Sequence, residues 1–453
     1  MSRDQAHNDE PLASVDQLYA FFEAGCKAAD QRGVGTEHEK FGYCATQGTP
    51  LPFDGPKGIE ALLYALCERF GWQGHLDEGR LLALERDGAA ITLEPGGQLE
   101  LSGRITRNVH ETADELATHL DEVSTLAETL GQRWCFFGMH PFDTLDAVPW
   151  MPKSRYRIMR DYLPTRGALA AWMMKMTCTV QANFDYRSVD EGIAMMRLGA
   201  LASPIVTALF ANSGYSEGLR NDHASYRMAI WQDTDPDRCG VPEWMVQPDA
   251  GIDAYVQWAL DVPMFFIRRG GRYIPMHGMP FRNFWDQGWE GERATLGDFE
   301  LHLSTLFPEA RMKRYVEVRS ADCGPPETLL ALPALFKGLF YDDDATQQAL
   351  QLLHVQDAAQ LRADMAVARR EGLDGTLRGR SLRAWASDLL SLARESLERQ
   401  AEAAGMRSEA IYLDALVDAQ GSPRAPIALM HEAWLTHRGE RLPLQQAFAI
   451  RPR

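Results

Sequence analysis

Four short segments alternate polar and apolar residues, and this alternation limits the fold more than any other feature of the chain. In each segment two polar side chains are two residues apart. The pairs are Glu37 and Glu39, Gln98 and Glu100, Gln181 and Asn183, and Glu317 and Arg319. Because successive side chains of a β-strand point to opposite faces, each pair lies on one face of its strand. The pattern also places Lys313 and Tyr315 on the face of Glu317, which predicts sheet strands with one polar and one apolar face.

Carboxylates dominate these polar faces. The five of interest are Glu37, Glu39, Glu94, Glu100 and Glu317. Carboxylates gathered on neighbouring strands repel one another unless cations lie among them. Oxygen ligands suit Mg²⁺, which leaves positions open for water and phosphate oxygens. Because Lys313 and Arg319 accompany Glu317, the segments together favour a site of magnesium-assisted phosphoryl transfer. For any single pair, the solvent-exposed face of an ordinary antiparallel sheet remains the alternative.

Basic residues that could receive an anionic substrate occur in two other places. Residues 153–160 carry a cluster at a predicted helix start, consisting of Lys153, Arg155, Arg157 and Arg160, with Tyr156 among them. Arg227 and Trp231 are four residues apart on a second predicted helix, so they face the same way. The alternative for the first cluster is a solvated basic turn of helix.

The order of predicted elements indicates an α+β fold. Strands are predicted over residues 34–44, 133–139, 177–186 and 312–319, with hairpins at Asp87-Gly88, inside 81–101, and at Gly270-Gly271, between 262–268 and 272–276. Helices are predicted over 14–29, 57–70 and 108–130, and almost continuously after residue 327. Strands that recur as hairpins favour a largely antiparallel sheet. We expect a single catalytic domain, 1–453, with a sheet-bearing core (12–325) and a helical C-terminal part (326–453).

Composition excludes several classes of protein. The 453 residues carry a formal net charge of −17, which argues against binding to nucleic acid or an anionic membrane. The apolar stretch 193–211 contains Arg197 and Pro204, so it is interpreted as a buried helix and not as a membrane span. Seven widely spaced cysteines and the polar segment from Met1 to Pro11 indicate a reducing compartment and no secretion signal, so we expect a cytoplasmic protein.

One short motif suggests a different class of enzyme. Residues 214–218 match the G-x-S-x-G nucleophile elbow of serine hydrolases, with Ser216 as nucleophile. That elbow needs a strand before the serine and a helix after it, whereas the preceding residues are predicted as a helix end and the following ones as a loop. A serine hydrolase is kept as the alternative from another class. No Walker A motif, no G-x-G-x-x-G and no H-E-x-x-H occurs in the sequence.

Several longer motifs, taken in order, resemble the plant and proteobacterial type of glutamate–cysteine ligase. They are Gly35-Thr36-Glu37-His38-Glu39-Lys40-Phe41-Gly42, Leu93-Glu94-Pro95-Gly96-Gly97-Gln98-Leu99-Glu100-Leu101, Met151-Pro152-Lys153, Thr177-Cys178-Thr179-Val180-Gln181-Ala182-Asn183 and Arg314-Tyr315-Val316-Glu317-Val318-Arg319-Ser320-Ala321-Asp322. The resemblance covers nearly the whole chain. It implies a fold similar to glutamine synthetase and the guanido kinases, in which a curved, mainly antiparallel sheet forms a funnel with helices packed outside.

The resemblance also implies an activity and roles for individual residues. The activity is ATP- and Mg²⁺-dependent joining of the γ-carboxylate of L-glutamate to the amine of L-cysteine through γ-glutamyl phosphate, the first step of glutathione biosynthesis. The implied magnesium ligands are Glu37, Glu39, Glu94, Glu100 and Glu317, with Gln181 near a metal or phosphate. Lys313 and Arg319 are expected at the phosphates as the catalytic cations. Arg227, Trp231, Asn183, Lys153, Arg155 and Tyr156 are expected around the amino-acid substrates.

Some alternatives stay open within this resemblance. The acceptor could be an amino acid other than cysteine, or the fold could serve a catalytically inactive binding protein, although the five intact carboxylates argue against the latter. Glutathione is a possible feedback inhibitor. The expected assembly is a monomer or a weak homodimer.

Overall fold

A nine-stranded antiparallel sheet lies at the centre of the structure, a computed structural model that describes residues 8–450. Most of the segment from Met1 to Pro11 therefore lies outside the described residues. The strands up to the middle of the chain are β1 (Val34–Cys44), β2 (Gln73–Asp77), β3 (Arg80–Arg86), β4 (Ala89–Leu93), β5 (Leu99–Ser102), β6 (Gln132–Cys135), β7 (Thr179–Phe184), β8 (Tyr215–Ser216) and β9 (Leu219–Arg220). The others are β10 (Cys239–Gly240), β11 (Phe266–Arg269), β12 (Arg272–Pro275), β13 (Phe307–Pro308), β14 (Ala310–Met312), β15 (Val316–Asp322), β16 (Thr376–Leu377) and β17 (Arg380–Ser381).

The strand order places the polar segments of the sequence side by side. The order is β14-β15-β7-β1-β5-β4-β3-β2, and β6 pairs with the far end of β1. The central strands β15, β7, β1 and β5 carry the four alternating segments. Each of these neighbours is antiparallel to the next. The predicted α+β class and antiparallel sheet are confirmed.

Helices cover the apolar face of this sheet. The helices before the last strand of the sheet are α1 (Val15–Glu23), α2 (Ile59–Phe70), α3 (Val109–Leu130), α4 (Ser154–Tyr162), α5 (Ala170–Met176), α6 (Val189–Leu209), α7 (Tyr226–Gln232), α8 (Ile252–Asp261), α9 (Phe281–Gln287) and α10 (Leu296–Leu303). The later ones are α11 (Pro326–Phe340), α12 (Asp343–Leu353), α13 (Ala358–Glu371), α14 (Leu382–Ala404), α15 (Pro426–Thr436) and α16 (Arg441–Ala447). Side chains such as Val180 and Val318 are buried beneath α6 and α11.

Local sequence signals explain where several elements begin and end. Asp87 and Gly88 join β3 to β4 with positive φ angles of 51° and 82°, as a tight two-residue hairpin requires. The Asn108 side chain accepts a hydrogen bond from the Glu111 amide at 3.0 Å, and α3 ends at Gly131 in the left-handed region. These hairpin and helix predictions are confirmed, as is the hairpin at Gly270-Gly271.

Other boundaries differ from the predictions. Helix α1 ends at Glu23, and the chain then passes Tyr186 and the backbone of Arg314 so closely at Gly25 that no side chain would fit there. Residues 81–101, predicted as two strands, form three, since the chain turns again before Leu99. The predicted strand 312–319 is interrupted, because the chain reverses between Met312 and Val316 to pair β14 with β15. The C-terminal part also contains the small hairpin of β16 and β17.

The sheet and the C-terminal helices share one hydrophobic core that extends from α1 to α15. A buried polar contact supports the packing: the Val109 amide donates to Glu409 Oε1 at 2.5 Å, and Lys337 forms an ion pair with the same carboxylate. Helix α6 is long and apolar enough to cross a membrane, but 89% of its apolar window is buried inside the protein, which is typical of a core helix.

Candidate active site

The register of the sheet brings the polar pairs onto one face, here called the site face. Glu37 lies opposite Gln181 on one side and Ser102 on the other, and Glu39 lies opposite Glu100. Directly opposed residues of antiparallel strands project to the same face. Asn183 continues the row on β7, between Gly35 of β1 and Glu317 of β15. The grouping predicted from the i, i+2 spacing is therefore confirmed for these strands.

Two cavities open on the site face. The first, called the arginine cavity, has a volume of about 820 Å³. Its lining includes Glu39, Glu94, Glu100, Gln181, Arg155, Tyr156, Arg227, Trp231, Arg311 and Arg319, together with Phe266, Ser304, Thr305 and Phe307. The lining combines arginines with carboxylates, which suits a substrate that carries both charges.

The second, called the glycine cavity, has a volume of about 1070 Å³ and lies at the other end of the same strands. It is lined by Glu37 and Asn183, by glycines 33, 35, 88 and 103, and by Ile105 and Tyr315 among others. On β1, Glu37 precedes the arginine-cavity residue Glu39 by two positions. On β7, Asn183 follows the arginine-cavity residue Gln181 by two positions. The two cavities are therefore successive parts of one trough along the sheet.

Three carboxylates of the arginine cavity act on one another. Burial, and then the nearby Glu94 and Glu100 carboxylates, raise the pKa of Glu39 well above its ordinary value. The Glu39 carboxylate accepts one hydrogen bond from the Thr179 amide at 3.0 Å, and Glu100 accepts one from the Ser102 hydroxyl at 2.6 Å. Like charges buried together favour protonation or a bound cation.

Glu317 lines neither cavity but connects residues of both, since it lies opposite Asn183 of the glycine cavity and binds Arg319 of the arginine cavity. Its carboxylate is fully buried, and its Oε2 forms ion pairs with Arg311 at 2.6 Å and Arg319 at 2.9 Å. Arg319 also donates to Gln181 Oε1 at 2.8 Å. Burial alone would raise the pKa of Glu317, but the two guanidinium groups hold it below its ordinary value. Glu317 Oε1 makes no hydrogen bond within residues 8–450.

Lys313 reaches this region from a turn, which corrects the sequence prediction. The expected strand face shared by Lys313, Tyr315 and Glu317 does not form, because the Lys313 amide donates to the Tyr315 carbonyl at 2.8 Å and closes the turn between β14 and β15. The side chain is nevertheless buried near Glu37 and Glu317. Burial, and then the Arg311 guanidinium, lower the pKa of Lys313 to about 8.

Arg227 and Trp231 supply hydrogen-bond donors to the arginine cavity. Both belong to α7, whose start is fixed because Asp322 accepts hydrogen bonds from the hydroxyls of Ser213 (2.6 Å) and Ser225 (2.8 Å). The buried Arg227 donates through Nη2 to the Arg319 carbonyl at 3.1 Å. Its Nη1 and the Trp231 Nε1 are buried and make no hydrogen bond within the described part of the chain. The nearest carboxylate to Arg227 Nη1 is that of Asp322, which forms an ion pair with it at 3.9 Å.

The remaining predicted substrate residues divide between places. Arg155 and Tyr156 line the arginine cavity, and the Tyr156 hydroxyl donates to the Leu93 carbonyl at 2.7 Å. Asn183 lines the glycine cavity instead, where it donates to Glu37 Oε1 at 2.9 Å. Lys153 lines neither cavity and approaches the Leu93 carbonyl at 3.5 Å. Asn183 and Lys153, which were expected beside Arg227 and Trp231, therefore do not line the cavity that holds those two residues.

The donor set of the trough fits a hard divalent cation such as Mg²⁺. Carboxylate and amide oxygens, which Mg²⁺ prefers, face the trough from four strands or loops. Two buried oxygens, Glu317 Oε1 and Asn183 Oδ1, make no hydrogen bond within residues 8–450. In the same residues, no three Asp, Glu, His or Cys side chains form a ready cage. Phosphate oxygens and water would therefore complete the coordination of any ion held here.

The hydrolase motif does not form a nucleophile elbow. Tyr215–Ser216 and Leu219–Arg220 are the two strands of a small hairpin, and Glu217 and Gly218 form its turn with φ angles of 52° and 79°. A nucleophile elbow requires a helix after the serine, and a strand returns here instead. The structure removes the support for the hydrolase alternative.

Sequence reasoning missed Arg311 and the loop at residues 304–307. Arg311 belongs to the short strand β14, whose alternation is hidden because the chain turns two residues later. The loop carries Ser304, Thr305 and Phe307, which have no motif of their own. Only long-range packing brings this loop to the arginine cavity, so no local signal could have found it.

Comparison with known proteins places the chain among enzymes. The family model described as glutamate-cysteine ligase family 2 matches residues 33–432. The chain is 41% identical over 403 residues to the chloroplastic glutamate–cysteine ligase of Brassica juncea, with 86% of this chain and 76% of that protein covered. It is 40% identical over 397 residues to the chloroplastic glutamate–cysteine ligase B of Oryza sativa subsp. japonica, with 86% and 79% covered.

A solved structure shows the same fold. The glutamate–cysteine ligase of Francisella tularensis, determined in complex with AMP, matches with a TM-score of 0.57 and 14% identity. The match covers 92% of this chain and 89% of that one. At this identity the likeness concerns the fold, which agrees with the large antiparallel sheet and outer helices described above.

Proposed function

The chain belongs to glutamate–cysteine ligase family 2, and it is a ligase of L-glutamate and L-cysteine that consumes ATP. We propose that this reaction takes place in the trough on its sheet. The reaction is the first step of glutathione biosynthesis. The glutamate γ-carboxylate attacks the γ-phosphorus of ATP, which gives γ-glutamyl phosphate and ADP. The amine of cysteine then attacks the acyl carbon, and phosphate leaves as the amide bond forms.

We assign the arginine cavity to the amino acids. The observation that carries this assignment is a pair of buried donors that make no hydrogen bond in the described structure, Arg227 Nη1 and Trp231 Nε1, in the cavity that also holds Glu39 and Glu100. A substrate carboxylate on these donors would satisfy two buried polar groups that are costly to leave unpaired. The carboxylates across the cavity can then receive the ammonium groups of the substrates.

We assign the glycine cavity to ATP. Gly35 leaves space for a flat, bulky ligand, since an added Cβ there would meet only Asn183, at ordinary contact distance, whereas Gly33 and Gly103 are closely packed. Lys313 lies close to Glu37, one of the residues that line this cavity, and can neutralise a phosphate. With ATP bound there, its γ-phosphate would point along the strands toward the arginine cavity, where the γ-carboxylate of glutamate would be bound. Catalysis by positioning and charge needs no covalent intermediate with the enzyme.

Magnesium is part of this proposal. Glu37, Glu39, Glu94, Glu100 and Glu317 would hold it, with Gln181 nearby. When bound, Mg²⁺ supplies positive charge that offsets the charge of the ATP phosphates. We assign Arg319 to the transferred phosphoryl group, and its contacts with both Glu317 and Gln181 support this role.

The assignment of the arginine cavity can be tested with Arg227→Lys. Lysine keeps the charge and loses the paired donors of the guanidinium group. Losing a hydrogen bond to a charged group costs about 1.5–3 kcal/mol, so we expect the KM for one amino acid to rise by roughly 10- to 100-fold. Steady-state kinetics should show an unchanged KM for ATP. The control is Arg197→Lys, since Arg197 is half-buried and donates to the Ala250 carbonyl outside the trough. Unchanged amino-acid constants in Arg227→Lys would refute the assignment.

We further propose a cytoplasmic protein that works as a monomer or weak homodimer. All seven cysteines are free thiols, which supports a reducing compartment. Glutathione, which carries a γ-glutamyl group, could enter the arginine cavity and act as a feedback inhibitor.

A further inference from the structure

Arg311 is among the most buried charged side chains of the protein. It lies on β14 with a side chain that is 1% exposed, directly opposite Glu317 in the register of β14 and β15. A buried guanidinium group is costly unless its donors are satisfied. The hydrogen-bond partners of Arg311 therefore indicate which role the side chain has.

The partners of Arg311 belong to two different parts of the site. Through Nη2 it forms the ion pair with Glu317 Oε2 at 2.6 Å. Through Nη1 it donates to the carbonyls of Ser304 at 2.9 Å and Leu306 at 2.7 Å. Ser304 lies in the loop that lines the arginine cavity. One planar group thus joins the Glu317 carboxylate to the wall of the amino-acid pocket.

We propose that Arg311 is a positioning residue that orients Glu317 toward the cation and sets its distance from the amino-acid pocket. With Arg311 and Arg319 both on Oε2, the carboxylate cannot rotate freely, and Oε1 is the oxygen left without a hydrogen bond in the described structure. This inference rests on the proposed function, because Glu317 is assigned there to Mg²⁺. Arg311 also lines the arginine cavity, but the role proposed here is exerted through its ion pair with Glu317.

The guanidinium geometry is essential to this role. A lysine at position 311 would keep the positive charge but could not bind Glu317 and two carbonyls in one plane. Arg311→Lys therefore separates geometry from charge. The expected outcome is weaker binding of a divalent cation in the absence of substrates, and a lower kcat with little change in KM for glutamate.

A matched control is available in Arg238. This arginine is also fully buried, and it donates to the Thr305 carbonyl at 3.2 Å, in the same loop and between the two carbonyls that Arg311 holds. Its ion pair is with Asp235, away from Glu317. Arg238→Lys should disturb the loop in a similar way and leave Glu317 in place.

The experiment measures Mn²⁺ binding to the substrate-free protein by the loss of the free Mn²⁺ signal in electron paramagnetic resonance, alongside ligase kinetics. We expect at least about 10-fold weaker binding of Mn²⁺ and a kcat lowered at least about 10-fold in Arg311→Lys, but changes below about 3-fold in Arg238→Lys, since loss of a charge-assisted hydrogen bond has this magnitude. Melting temperatures of both variants monitor folding.

Three results would overturn the inference: equal effects in both variants, no effect in Arg311→Lys, or no binding of Mn²⁺ to the wild-type protein. The experiment distinguishes failure of the proposed function from failure of the role proposed for Arg311. If wild type binds Mn²⁺ but forms no γ-glutamylcysteine, the proposed function fails, while the difference in Mn²⁺ binding between the two variants still decides the role of Arg311.

Discussion

At the scale of single residues, Lys313 shows how burial prepares one side chain for a highly charged ligand. The ammonium group is buried near Glu37 and Glu317, and burial followed by the Arg311 guanidinium lowers its pKa to about 8. The group is therefore charged below this pH and loses its charge as the pH rises through 8. An ATP phosphate that depends on it would bind less well in alkaline solution.

We predict that kcat/KM for ATP falls as the pH rises above about 8, because this ratio reports groups of the free enzyme. In Lys313→Arg the fall should disappear, since a guanidinium group stays charged over this range. The profile should be measured in both proteins between pH 6 and about 10. Lys40, buried under the sheet beside His119, also has a pKa lowered to about 8, by burial. A fall that persists unchanged in Lys313→Arg would therefore point to Lys40 and contradict this prediction.

At the scale of elements, one face of β1 lines the trough and the other face packs on the core. Gly35, Glu37 and Glu39 project to the site face, and His38 and Lys40 project to the face beneath α3. The strand has two glycines with opposite surroundings. A Cβ at Gly35 would have free space beyond ordinary contact with Asn183, while one at Gly42 would lie 2.7 Å from atoms of Leu51 and Trp134.

This contrast predicts different results for two substitutions on the same strand. Gly35→Val should fold, occupy part of the glycine cavity and raise the KM for ATP several-fold, with the KM for glutamate unchanged. Gly42→Ala should instead lower the thermal stability, because overpacking a core typically costs about 1–3 kcal/mol. Kinetics and thermal melts of both proteins test this. An unchanged KM for ATP in a folded Gly35→Val protein would show that the nucleotide lies elsewhere.

Polar–apolar alternation and the residues typical of tight turns are the two signals that predict strands and hairpins in this sequence. Where a segment lacks these signals, the sequence does not predict its structure. The polar pairs on β1, β5 and β7 follow from the two-residue period of a strand. The turn between Met312 and Val316 contains no glycine, proline, asparagine or aspartate, so residues 312–319 resembled one continuous strand. Lys313 does lie near Glu317, as the sequence predicts, but it reaches that carboxylate from a turn and not from a shared strand face.

At the scale of the whole molecule, the site is assembled from segments far apart in the chain. The carboxylates come from the sheet, whereas Arg227, Phe266 and the 304–307 loop come from connections that pack over it. Such long-range contacts leave no periodic signal in a sequence. The resemblance to a family predicts substrate-binding residues that the alternation pattern does not. The expectation of a single domain stays a prediction, and the core shared by the sheet and the C-terminal helices is consistent with it.

In the proposed reaction, the γ-phosphoryl group of ATP is transferred in the trough to the γ-carboxylate of glutamate before the amide bond to cysteine forms. The most direct measurement uses L-glutamate labelled with ¹⁸O in its γ-carboxylate, together with ATP, Mg²⁺ and L-cysteine, with 2-aminobutyrate and no acceptor as comparisons. Mass spectrometry of the released phosphate and of the dipeptide gives the result. We expect γ-glutamylcysteine, ADP and phosphate that carries one ¹⁸O atom from glutamate, with little phosphate when the acceptor or Mg²⁺ is left out. Unlabelled phosphate, or a product formed without ATP, would contradict it.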